Sequence, residues 1–319
     1  MSTPGKPSHP DGAALRGLLS AIDPELRLTA SRALTGGVSA QVTAIDADRP
    51  SGGSERLVLR QYGAANLRSD PHIARHEYEL LTLLHAAGLP VAQPRYADES
   101  GTILPVPCLV TEFIEGAAGS VPANLPDQIA AATAQLAATL ARLHRLAFTL
   151  SDAPYLTDIR TVATRRIETW PSSPDEATSE AAVRAALART WPPPLANEPI
   201  LVHGDYWPGN TLWRRGRLVC VLDWEDAALG DPLADVGNAR MELCMAFGAD
   251  AAAAFTRQYC ALLPELDMTA LPHWDLYAAL RHAGRMQGWG LAPADLARLR
   301  AGHREFVAMT LAGPSALSR

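Results

Sequence analysis

Lysine is all but missing from this chain of 319 residues: the only one is Lys6, and arginine carries every other fixed positive charge. Any task for which chemistry offers a choice between an ammonium and a guanidinium therefore falls to arginine. Cysteine is scarce too. Cys108, Cys220, Cys244 and Cys260 show neither metal-type nor redox spacing, so buried free thiols in a reducing compartment are expected. No apolar run approaches the length of a membrane span. Met1 to Ala14, rich in Pro, Ser and Gly, has no apolar core of the kind a secretion signal needs. A disordered tail over residues 1–14 and a cytoplasmic protein with no membrane partner are expected. The net charge of −6 leaves no basic surplus for a phosphate backbone, which argues against nucleic acid as a partner. The sequence leaves the oligomeric state unknown.

What is present is a globular composition, 48% hydrophobic, in a chain long enough for one large domain or two lobes. Leu15 to Ile22 reads as a short helix. Arg27 to Leu34, Ala40 to Ala47 and Arg56 to Tyr62 read as strands, separated by Thr35-Gly36-Gly37-Val38-Ser39 and by a Pro-, Gly- and Ser-rich turn at Asp48 to Ser54. Asp70-Pro71 predicts the start of a helix that ends at Gly88. Further strands are expected at Val91 to Ala97 and Pro107 to Ile114.

Past Gly116 the periodicity turns helical, beginning with Ile129, Leu136, Leu140 and Leu143 on one face. Helices are expected at Thr157 to Trp170, Glu176 to Arg189, Leu233 to Phe247, Asp250 to Leu263, His273 to Met286 and Pro293 to Leu311. Short strands fit Ile200 to His203, Thr211 to Arg214 and Leu218 to Leu222. The pattern divides the chain into a β-rich N-lobe over 15–115 and a mainly helical C-lobe over 116–319.

The densest chemical signal is His203-Gly204-Asp205-Tyr206-Trp207-Pro208-Gly209-Asn210, followed by Leu218 to Leu222 and then Asp223. Asp205, Asn210 and Asp223 all stand on loops at the ends of short strands. Phosphoryl transfer asks a protein mainly for position and charge neutralisation. One carboxylate can orient an attacking hydroxyl and receive its proton, while an amide and a second carboxylate suit Mg²⁺.

His-Gly-Asp-x-x-x-x-Asn, then Leu-Asp-Trp-Glu and Gly230-Asp231-Pro232-x-x-Asp235, resembles the aminoglycoside phosphotransferase and choline kinase-like family of small-molecule kinases over about Leu34 to Ala246. The resemblance implies an α+β, bilobal, protein-kinase-like fold. It also implies Mg²⁺-dependent transfer of the γ-phosphate of ATP, with GTP as an option, to a hydroxyl of a small molecule. Asp205 would be the base, and Asn210 and Asp223 the Mg²⁺ ligands. The family places a basic residue on the third strand, paired to a helix glutamate; Arg60 and Glu77 match those positions. Gly37 and Ser39 would lie in the phosphate loop, and backbone groups of Glu112 and Ile114 would meet the adenine. Arginine replaces the usual lysine, a workable exchange because guanidinium forks onto phosphate oxygens.

His203 is expected to hold its loop by hydrogen bonding and not to do chemistry. Asp231 reads as a helix cap, and Asp235 is open between a brace for the loop and another role. The departures from protein kinases, Gly204 in place of arginine and Asp223-Trp224-Glu225 in place of Asp-Phe-Gly, point to a small acceptor. So does the short stretch of seven residues between Asp223 and Asp231.

Two other readings stand beside this one. A nucleotide-binding pseudokinase or regulatory module would explain the arginine exchange. A metal phosphohydrolase built on His203 and Asp205 lacks further His or Asp ligands. The acceptor pocket is expected between the Thr157 to Arg189 insert and the helices after Asp250. Trp274, Tyr277 and Trp289 could line it or serve the core. From His273 to Arg319 the acids are Asp275, Asp295 and Glu305, against six arginines. An uncharged or anionic acceptor is expected over a polycationic antibiotic. The acids Asp175, Glu176 and Glu180 of the insert are read as exposed.

Overall fold

The carboxylate of Asp11 accepts from the N–H groups of Ala13 and Ala14 at 2.9 and 2.8 Å, which starts the first helix at Gly12. Residues 12–14 are thus helical, a correction to the tail expected over 1–14; the cap signal at Asp11 outweighs the small residues that follow it. The computed structural model describes residues 7–34, 40–118, 125–149, 151–171 and 173–313. They fall into two compact units. The first runs to Glu115 and also takes in Cys220–Glu225; the second holds Gly116–Val219 and the chain from Asp226 onward. The expected C-lobe of 116–319 is therefore interrupted, because residues 220–225 pack with the first unit. There the N–H of Val221 donates to the Pro90 carbonyl at 2.7 Å.

In the first unit, α1 (Gly12–Ile22) precedes β1 (Arg27–Leu34), β2 (Ala40–Asp48) and β3 (Ser54–Tyr62). Then come α2 (Ala64–Ser69), α3 (Ile73–Ala86), β4 (Pro94–Asp98) and β5 (Cys108–Glu112). The strands form one antiparallel sheet in the order β1-β2-β3-β5-β4. Period-two alternation sorts β3: Leu57 and Leu59 enter the core with Leu15, Leu18, Ile45 and Val110, so Arg56 and Arg60 share the opposite face. Helix α3 begins at Ile73, two residues after the expected first helical residue, Pro71. Asp70 caps a preceding turn, accepting from the N–H of His72 at 2.9 Å and the ring of His76 at 2.7 Å, and α2 had no sequence signal strong enough to read.

The second unit contains β6 (Ala117–Ala118), α4 (Pro126–His144), α5 (Ile159–Glu168), α6 (Glu180–Thr190), β7 (Ile200–Val202), β8 (Thr211–Arg214) and β9 (Arg217–Val221), whose end carries the chain into the first unit. After its return come β10 (Ala228–Gly230), α7 (Leu233–Phe247), α8 (Ala249–Leu262), α9 (Leu271–His282) and α10 (Pro293–Ala312). Helix α7 is buried on all sides from Leu233 to Met245 and packs against α8, α9 and α10. Helix α9 stops at His282, short of the expected Met286, because Gly284 turns the chain at φ +69°. No helix among the described residues is long and apolar enough to cross a membrane.

Candidate active site

In the second unit, β7 pairs with β10 and delivers the loop that begins at His203. Asp235, fully buried near the start of α7, accepts from the N–H of His203 at 2.7 Å and of Gly204 at 2.8 Å. His144 contacts the same carboxylate at 3.1 Å and the Tyr259 hydroxyl at 2.6 Å. Asp235 is thus a brace for the loop. The His203 ring accepts from the N–H of Asp205 at 3.2 Å, a shaping role. Gly204 sits at φ +80°, and a Cβ there would lie 2.0 Å from the Asp226 carbonyl, which explains glycine at this position.

The loop presents Asp205 with its side chain 29% exposed. The Asn210 amide nitrogen donates to Asp205 Oδ2 at 3.0 Å and to its carbonyl at 2.9 Å. Asn238 of α7 donates to Asp205 Oδ1 at 3.4 Å. Arg281 of α9 donates to Oδ1 at 2.9 Å and to the Gly204 carbonyl at 2.7 Å. Burial works to raise the Asp205 pKa, but Arg281 and then His203 and His282 outweigh it and hold the carboxyl below the ordinary range. Asp205 is an ionised, oriented acceptor at neutral pH.

In the first unit, Arg60 is the hub. Its Nη2 donates to Asp223 Oδ1 at 2.7 Å and closely to Glu225, and its Nη1 reaches Glu77 at 3.5 Å. Glu77 is buried, and its second oxygen accepts from the Tyr62 hydroxyl at 2.7 Å. Asn66 of α2 donates to Glu225 at 2.7 Å. Burial would weaken the charge on Arg60; Glu77, Asp223 and Glu225 more than offset this and raise its pKa well above the ordinary arginine value. Asp223 follows β9 at φ +64°, a left-handed conformation uncommon for a residue with a side chain. Arg56 is engaged elsewhere, with Asp46 at 2.8 Å, Glu115 at 3.3 Å and the Phe113 ring.

The structure therefore brings Asp205 to Asn210 in one unit and Arg60 to Glu77 and Asp223 in the other. Glu112 lies opposite Leu57 at the end of β5, away from the Arg60 hub. Its N–H donates to the Gln93 carbonyl at 2.9 Å, and the Phe113 N–H to Arg56. The Ile114 N–H takes no backbone acceptor among the described residues. Gly37 and Ser39 lie outside the described residues. Sequence reasoning missed Tyr62, Asn66, Glu225, Asn238 and Arg281. Tyr62 and Glu225 carried a faint signal, each two residues beyond an identified position; Asn238 and Arg281 carried none.

Trp274 and Tyr277 are buried, whereas Trp289 is 42% exposed. Glu180, read as exposed, is 1% exposed. It accepts from the Trp170 indole and from the N–H of Asp175 and is ion-paired with Arg184, contacts that replace its water. All four cysteines are free thiols.

A sheet lobe with a paired basic residue and glutamate, and a helical lobe carrying Asp-x-x-x-x-Asn on a braced loop, define a kinase-like phosphotransferase architecture. The profile of the Phosphotransferase enzyme family matches residues 31–280, and the chain belongs to that family. In structure it is similar to the macrolide 2′-phosphotransferase of Brachybacterium faecium, with TM-score 0.60 and 20% identity over 94% of this chain and 97% of that one. It is also similar to a thermostable mutant aminoglycoside phosphotransferase solved with ADP and hygromycin B, with TM-score 0.62 and 18% identity over 94% and 99% of the two chains. The fold is the bilobal, protein-kinase-like α+β fold. Among curated sequences the chain is similar to Acyl-CoA dehydrogenase family member 11 of Rattus norvegicus, 29% identical over 196 residues, 58% of this chain and 25% of that protein. Family member 10 of Mus musculus is 26% identical over 200 residues, 60% and 18% of the two chains. The match takes in a quarter or less of the length of these curated relatives.

Proposed function

We propose that this phosphotransferase moves the γ-phosphate of a nucleoside triphosphate, ATP or alternatively GTP, to a hydroxyl of a small molecule, with Asp205 as base. The observation that carries the reading is the hold on Asp205: Asn210, Asn238 and Arg281 fix an ionised carboxylate that is still partly exposed. A bond forms between the acceptor oxygen and the γ-phosphorus as the bond to the β-phosphate oxygen breaks. The acceptor proton passes to Asp205, and the nucleoside diphosphate leaves. A carboxylate of low pKa receives that proton late and releases it readily to water, so its main contribution is to orient the hydroxyl.

On the nucleotide side, Arg60 would hold the α- and β-phosphates, oriented by Glu77. Gly37 and Ser39 would lie over the phosphates, and the Glu112 carbonyl and Ile114 N–H would meet the base. Each residue by itself offers a donor of the kind Mg²⁺ takes: Asp223 a half-exposed carboxylate, and Asn210, whose amide nitrogen is spent on Asp205, its carbonyl oxygen. When bound, the ion would neutralise phosphate charge. Asp205→Asn should slow transfer by about 10²–10⁴-fold with nucleotide affinity retained. Turnover that survives the substitution refutes Asp205 as base. Nucleotide binding without turnover on any acceptor would favour the pseudokinase reading instead. Dehydrogenation, named for the curated relatives, forms no part of this proposal.

A further inference from the structure

Around Asp205, within the second unit, Arg281, Arg166 and Arg285 have only Asp205 and Asp226 as ion-pair partners among the described residues. Arg281 links Asp205 at 2.9 Å to Asp226 at 3.4 Å. Arg166 of α5 donates to the other Asp226 oxygen at 3.4 Å and to the Tyr277 hydroxyl at 3.3 Å. Arg285, just past the end of α9, lies with its guanidinium 4.8 Å from the ring centre of Trp170. That ring is braced, since its indole N–H donates to the buried Glu180 at 2.9 Å. Arg285 has no ion-pair partner among the described residues, while it shares its surroundings with Arg166, Arg281, Tyr277 and Asp226. Although Arg285 reaches solvent, partial desolvation and then the like charges of Arg166 and Arg281 weaken its hold on its proton.

The three guanidiniums thus share two ion-pair partners, one of them the proposed base, while the nearby Glu242 and Glu180 are taken by His282 and Arg184. Holding a third cation on a fixed aromatic shelf beside two others costs repulsion that an oxyanion would relieve. A polycationic acceptor would make the repulsion worse. We infer that the acceptor carries an oxyanion, a carboxylate or phosphate, gripped by Arg285 and Arg166 while a hydroxyl of the same molecule is presented to Asp205. Planar forked donors stacked on an aromatic ring suit that task. The inference rests on the phosphotransferase reading and narrows its acceptor class.

The test is a thermal-shift and calorimetric panel of hydroxylated compounds matched for shape, with gluconate, glucose 6-phosphate, glucose and glucosamine as one set and further neutral polyols, hydroxy acids, sugar phosphates and aminoglycosides beside it. The expected binders are anionic, and within a set they bind at least about tenfold more tightly than the neutral member, the scale of one charge-assisted hydrogen bond. Carboxylate and phosphate members of each set separate the two oxyanion sources. Arg285→Gln, at an exposed position, should raise the dissociation constant or KM for the anionic binder about tenfold with little change in kcat; Arg285→Lys should recover part of it. Neutral or cationic binders, a panel with no anionic binder, or an Arg285→Gln protein with unaltered preference would each overturn the inference. Nucleotide hydrolysis without acceptor, lost in Asp205→Asn, reports on the phosphotransferase reading separately.

Discussion

Arg281 grips both ends of one peptide unit's neighbourhood: one nitrogen donates to Asp205 Oδ1 at 2.9 Å and the other to the Gly204 carbonyl at 2.7 Å. Side chain and backbone of the loop are thereby locked to α9. Removing the guanidinium frees the carboxylate to rotate and withdraws the charge that keeps its pKa low against the effect of burial. Arg281→Gln should slow transfer by about 10²-fold, the usual cost of a misplaced reacting group. The sign of the pH effect follows from the depressed pKa. The native protein holds Asp205 ionised to lower pH than an ordinary aspartate, whereas the variant should lose activity at a higher pH as the carboxyl protonates. Rate profiles of the two proteins measured side by side decide this; profiles that superimpose after scaling would rule it out.

Arg60 and Glu77 meet at 3.5 Å with Tyr62 on the far oxygen of Glu77. Arg60→Met and Glu77→Gln should each raise the nucleotide KM, and the double variant should cost well below the sum of the two. Arg60→Lys should restore activity only in part, since an ammonium cannot span Glu77, Asp223 and Glu225 as the fork does. Strict additivity in the cycle would show the two residues acting apart.

Asp223 is paired to Arg60 at 2.7 Å, so a metal proposed at Asp223 must compete with that guanidinium. Asp223→Ala and Asn210→Ala should raise the Mg²⁺ concentration for half-maximal turnover, with the larger effect at the carboxylate. Titration of Mg²⁺ at saturating nucleotide measures it. Turnover indifferent to EDTA would remove the metal from the reaction.

His303 reports on the core of the second unit. It is fully buried; one ring nitrogen bonds the Ala279 carbonyl at 2.9 Å and the other has no partner. Burial pushes its pKa down to about 4 from 6.5. The unfolded chain therefore binds the proton first, and stability should fall as pH drops from 6.5 towards 4, by up to about 3 kcal/mol. His303→Gln should flatten that part of the stability curve in denaturant titrations at several pH values. A wild-type curve already flat over this range would contradict the assignment.

Local rules read much of this molecule correctly because they act locally. Helix α7 begins after Gly230-Asp231-Pro232, where Asp231 accepts from the Leu233 N–H at 3.0 Å, and ends at Gly248 at φ +88°; both signals are visible in the letters. The loop that carries Asp205 stood out by its spacing, and Arg60 by its place on the third strand together with the lack of lysine. Asn238 and Arg281 were not, since they reach Asp205 only because α7 and α9 pack together. Glu180 was misread for a related reason: an acid is expected in water until distant partners such as Trp170 take over its hydrogen bonds.

The arginine at position 60 has a consequence for how this protein can be probed and modified. Kinases that rely on an ammonium at this point can be acylated there, by amine-directed reagents or by enzymatic acetylation, and are silenced as their charge disappears. In this chain such chemistry meets only Lys6 and the amino terminus. Activity-based labelling that searches for nucleotide-site amines would pass over it, and lysine acetylation has no purchase on the cation proposed to hold its phosphates. Dicarbonyl reagents, which condense with guanidinium, become the selective tool, with protection by nucleotide marking Arg60 among its fellow arginines.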